Sequence, residues 1–118
     1  MIRTLAALSL LFAATAAAAQ RAAPAPRVSP QQQQRLAALG AELGRCHRAA
    51  AVRLARSRLT PPQIADRAMA ECAPREAAIR QALGRAIGAG RAQNVLQAQR
   101  GHWRRTIVTI VQQSRFTR

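Results

Sequence analysis

Apolar residues in the first half of the chain recur at three- and four-residue spacing, at Leu36, Leu39, Leu43, Cys46, Ala50 and Leu54. That spacing places one stripe on one side of an α-helix. A second stripe follows at Ile64, Ala68, Cys72, Ile79, Leu83 and Ala86, and a third at Ala92, Leu96, Trp103, Ile107, Ile110 and Val111. The boundaries carry their own signals. Ser29 offers an N-cap with Pro30 at the first helical position, and Thr60 offers another with Pro61 behind it and Gln63 placed to reach back to the cap. The pattern therefore predicts one helix from about Pro30 to Arg58. A second starts at Pro61 and is kinked or broken near Pro74, which lacks a backbone donor and crowds the carbonyl four residues earlier. Gly84, Gly88 and Gly90 loosen the chain next. From Arg91 onward a third helix is expected. Thr106 to Val111, six β-branched residues in succession, also reads as a strand. A lone strand leaves its backbone groups unpaired, so the helix is preferred, and the strand reading would require a dimer.

The two cysteines tie the first two stripes together. Cys46 lies thirteen positions before Leu59 and Cys72 thirteen after it. If the chain doubles back at Leu59-Thr60-Pro61-Pro62-Gln63, both thiols stand about 20 Å up their helices, at the same height and on facing stripes. A Cys46–Cys72 disulfide is expected, with buried free thiols or a metal site as the alternatives. Neither His47 nor His102 completes a zinc-ligand spacing, so no metal and no cofactor are expected. The fold class is all-α, a disulfide-pinned antiparallel helical hairpin followed by a third, basic amphipathic helix.

The first residues bear on destination. Arg3, an uncharged apolar run from Leu5 to Ala19, and small residues before Gln20 resemble a secretory signal. The expected organisation is a cleaved signal at 1–19, an extended Ala/Pro/Arg linker at 20–29 and a small helical domain at 30–118. A periplasmic or secreted location follows, where a disulfide persists. Leu, Ile, Val and Phe make up fewer than one residue in five from Gln20 onward. Alanine supplies the remaining apolar surface and buries little area, so the bridge matters to stability.

Charge changes the picture most. Nineteen arginines and no lysine face four acids, a formal net charge of +15. Such a surplus attracts anionic lipid, glycan or acidic protein, and a homodimer would add core. Nucleic acid is not expected of an exported protein. Catalysis is not expected either. Glu71 with Arg75, Glu76 with Arg80 and Glu42 with Arg45 have the spacing of helix-surface ion pairs, and Asp66 suits the first turn of the second helix. His47 and His102 have no nucleophile at a telling distance. The glycines after Leu83 lack the Lys and Ser/Thr of a phosphate loop. The candidate anionic-partner site is Arg100, Trp103, Arg104, Arg105 and Arg115, an indole among guanidinium groups on a basic amphipathic segment. Trp103 has an alternative use, filling the seam above the hairpin.

Leu59-Thr60-Pro61-Pro62-Gln63 fits the LTxxQ pattern, and Val28-Ser29-Pro30-Gln31-Gln32 looks like a degenerate second copy. Over these two strings the chain resembles the Spy and CpxP group of periplasmic proteins. The resemblance implies a small exported helical protein, chaperone-like or stress-regulatory, with a basic concave face formed in a dimer.

Overall fold

The computed structural model describes residues 27–117. The expected signal segment, 1–19, and linker residues 20–26 lie outside the described residues. Within them the fold is all-α and contains no strand, so the strand reading of Thr106 to Val111 is set aside. Four helices run in order: α1 (Pro30–Leu54), α2 (Pro61–Glu71), α3 (Ala73–Ile87) and α4 (Ala89–Phe116).

Both predicted N-caps form. The Ser29 hydroxyl accepts from the Gln32 N–H and the Gln32 side chain accepts from the Ser29 N–H, and Thr60 and Gln63 repeat the arrangement at α2. Each capping box satisfies two backbone donors that a helix start leaves unpaired. The LTxxQ-like strings are therefore helix starts, with Pro at the first position where its missing N–H costs nothing.

One boundary departs from expectation and one expected break forms. Helix α1 ends at Leu54 rather than Arg58, and residues 55–60 form the connection to α2. The second stripe is divided into two helices at Cys72, whose φ of −92° and ψ of 7° fit neither. Pro74 explains the break. It lies in the first turn of α3, where no donor is needed, and the N–H groups of Arg75 and Glu76 both turn to the Cys72 carbonyl. A further reversal separates α3 from α4 across one residue, Gly88, at φ 91°. That left-handed backbone is open to glycine at little cost.

Helix α4 packs against α1, α2 and α3, and α1 packs against all of the others. The core has two parts. One gathers Ala50, Ala51, Leu54 and Ala55 of α1 and its end, Ile64, Ala65 and Ala68 of α2, and Ile107, Ile110 and Val111 of α4. Alanines on two helices let them approach closely, and α4 supplies the large side chains that fill the space. The other joins Leu43, Cys72, Ile79 and Leu96, with Leu36, Leu39, Cys46 and Trp103 packed around them. Here the cysteines meet as expected. Cys46 and Cys72 form a disulfide with Cα atoms 5.9 Å apart, crossing from α1 to the α2–α3 junction. No described helix is long and apolar enough to cross a membrane.

Candidate anion-binding surface

The four acids of the chain are all consumed by arginines, which decides where positive charge remains free. Glu71 pairs with Arg53 and Asp66 with Arg104. Glu42 lies 3.6 Å from Arg75, and Glu76 meets both Arg80 and Arg100. Of the short-range pairs expected, only Glu76 with Arg80 forms. Glu71 and Arg75 fall on different helices once the chain breaks at Cys72, so their four-residue spacing no longer places them on one face. Asp66 lies beyond the first turn of α2 and looks across to α4 instead.

Glu76 is the acid withdrawn from water, 4% exposed. Its Oε1 stands 3.2 Å from Arg100 Nε and 3.9 Å from Arg80 Nη2 without an aligned hydrogen bond, while Arg100 Nη2 donates to Oε2 at 3.5 Å. Two guanidinium groups therefore neutralise one buried carboxylate, the condition under which a charge is tolerated inside. His47 is also buried, at 6% exposure, with its ring tilted against Trp103 at a centroid separation of 5.8 Å. Burial lowers its pKa below the ordinary value, and the Glu76 charge pulls weakly the other way. A base held neutral in this way binds fewer protons folded than unfolded. Its contribution to stability is full above the unfolded pKa of about 6.5 and is lost as pH falls below that value. We expect the urea midpoint to drop between about pH 7.5 and about pH 5, and His47→Gln to remove a measurable part of the drop. An identical pH profile in the variant would contradict this.

The five residues expected to bind an anionic partner are not presented together. Arg100 is turned to Glu76 and Arg104 to Asp66. Trp103 is half-buried against the disulfide-containing part of the core, the filling role weighed above. Arg115 donates from Nε to the Ala55 carbonyl at 3.0 Å, and from Nη2 to Ser57 at 3.0 Å and Leu59 at 2.6 Å. It thereby satisfies carbonyls left over at the end of α1 and locks the connection into α2. Of the five, Arg105 is the one exposed without an acidic partner among the described residues.

A different group of arginines is assembled on the outward face of α1 and the turn that follows it. Arg45, Arg48, Arg53 and Arg56 surround Ala49 and Val52 in a shallow groove, and Val52 is 41% exposed. Helical spacing brings Arg45, Arg48 and Val52 together on the side of α1 opposite Leu43, Ala50 and Leu54, and Arg56 lies in the turn just past the end of α1. Arg45, Arg48 and Arg56 have no acidic partner among the described residues, whereas Arg53 is shared with Glu71. These positions are legible in the sequence as a solvated cationic face. Their value as a site emerges only when the α4 arginines prove to be engaged elsewhere.

Beside this face, α1 and the α2–α3 junction bound a cleft of about 680 Å³ lined by Glu42, Arg45, Cys46, Ala49, Ala50, Arg53, Glu71 and Arg75. No cluster of three or more His, Cys, Asp or Glu side chains suited to a metal ion occurs among the described residues. Comparison with protein-family models, curated proteins and solved structures finds no match.

Proposed function

We propose that the protein is an exported, non-enzymatic binding protein of the cell envelope that engages an anionic surface through arginine. Its fold is read as an antiparallel hairpin of α1 with α2–α3, pinned at Cys46–Cys72, with α4 laid across it as the third rod. The observation that carries the reading is the grouping of Arg45, Arg48 and Arg56, none with an acidic partner, around the exposed Val52 on the outward side of α1 and its following turn. Charges flanking a small apolar strip suit a headgroup layer, where guanidinium groups stay wet and one aliphatic side chain settles among them. Each arginine close to an anionic leaflet contributes about 1 kcal/mol, so three together are worth roughly a hundredfold in affinity.

Flotation with phosphatidylglycerol-containing vesicles tests the reading. The protein should float with them at low ionic strength, stay behind at high ionic strength, and ignore neutral phosphatidylcholine vesicles. Association that is absent at low salt, or indifferent to lipid charge, would sink it. The chaperone-like role implied by the LTxxQ resemblance has the two capping strings as its support. Capping accounts for Ser29, Gln32, Thr60 and Gln63 without a client, which makes it the weaker of the two readings.

A further inference from the structure

The disulfide is asymmetric in its access to solvent. Cys72 is 1% exposed, while Cys46 is half-buried and lines the cleft between α1 and the α2–α3 junction. The cleft therefore opens on the Cys46 side of the bond. Its volume falls in the range that accepts small ligands. Arg45, Arg53 and Arg75 face Glu42 and Glu71 there, and because Arg53 and Arg75 are paired with those acids, Arg45 is left over as an unpaired cation next to Cys46. On the other side, Cys72 stands at once at the end of α2 and the start of α3, where the two helix dipoles oppose each other.

We infer that Cys46 is a modification site, at which a small carboxylate-bearing thiol exchanges into the bridge. The incoming thiolate attacks Cys46 Sγ from the cleft, and a mixed disulfide forms as the Cys46–Cys72 bond breaks. The bonding pair leaves on Cys72 Sγ, which takes up the proton the incoming thiol released. The incoming sulfur is oxidised and the Cys72 sulfur reduced, so no further oxidant is involved. Exchange of this kind is governed by which sulfur can be reached and by how well the departing thiolate is stabilised. Access selects Cys46 as the sulfur attacked, which leaves the buried Cys72 as the one released.

The test incubates the oxidised protein with reduced glutathione under native conditions, quenches early with acid, alkylates free thiols and maps the products. Trypsin separates the two sulfurs, since Arg45 and Arg48 bracket Cys46, and Arg67 and Arg75 bracket Cys72. Glutathione should be found on Cys46 with Cys72 alkylated, and it should react faster than the cationic thiol cysteamine. Arg45→Gln should slow the glutathione reaction by about fivefold, the factor one unpaired charge is worth at about 4 Å in water. In denaturant the preference for Cys46 should vanish. An adduct on Cys72, an even partition in the folded protein, no adduct at all, or cysteamine reacting as fast as glutathione would each overturn the assignment. Far-UV circular dichroism taken alongside shows whether the partition was measured on folded chains.

Discussion

Replacing Cys46 and Cys72 together by serine is expected to remove about 3.5 kcal/mol of stability, the loop-closure value for a bridge spanning 26 positions. For a domain of this size that corresponds to a fall in melting temperature of roughly 15–25 °C. The loss is large because small domains hold only about 5–15 kcal/mol in total, and here alanine carries much of the buried surface. The helices should still form at low temperature. Their caps, and the part of the core where α4 places Ile107 and Val111 against α1 and α2, do not pass through the sulfurs. Thermal melts of the oxidised protein and the double variant, followed by far-UV circular dichroism, check the expectation. A shift of only a few degrees would mean that the bridge joins groups already held in place by packing.

Ile107→Ala should cost nearly as much. Ile107 is fully buried on α4, in the part of the core it shares with Ile64, Ala65 and Ala68 of α2 and with Ala51 and Leu54 of α1. Large-to-alanine changes in such positions cost about 2–5 kcal/mol, more when the surroundings cannot collapse into the vacated space. The alanines around it on α1 and α2 have no side chain to extend into the space, so a loss near the upper end, about 4 kcal/mol, is expected. Ile107→Val, which removes one methylene, should cost about 1 kcal/mol. Urea unfolding of both variants measures the pair. A small cost for alanine would show that α4 is not the element that completes this part of the core.

Much of this architecture is legible in the residues themselves. Ser29 with Gln32 and Thr60 with Gln63 declare two helix starts through purely local hydrogen bonds, so three-residue spacing suffices to read them. The Cys46–Cys72 pairing is legible because both cysteines lie on apolar helix stripes, although α1 stops at Leu54, so symmetry about Leu59 does not by itself set their height. Pro74 marks a break, although its position at Cys72 depends on which carbonyl the next two N–H groups choose.

The long-range polar partners are another matter. Arg115 finds the Ala55, Ser57 and Leu59 carbonyls from nearly sixty positions away, and Arg104 finds Asp66 from 38. No periodicity announces such contacts, because they depend on where α4 comes to lie. That is why the acid-free segment from Arg91 onward reads as the binding surface, while the folded chain spends Arg100, Arg104 and Arg115 internally and leaves α1 and the turn after it presenting Arg45, Arg48 and Arg56.

The measurement that bears most directly on the proposed binding surface compares two triple variants of equal net charge in anionic-vesicle flotation. One carries Arg45→Gln, Arg48→Gln and Arg56→Gln on α1 and the turn after it; the other carries Arg85→Gln, Arg91→Gln and Arg105→Gln at exposed positions elsewhere. If the α1 face is the site, the first variant loses roughly a hundredfold in vesicle affinity at about 1 kcal/mol per arginine, while the second keeps most of its binding. Equal losses in the two variants would contradict the account, because association would then follow overall charge and no particular face of the protein.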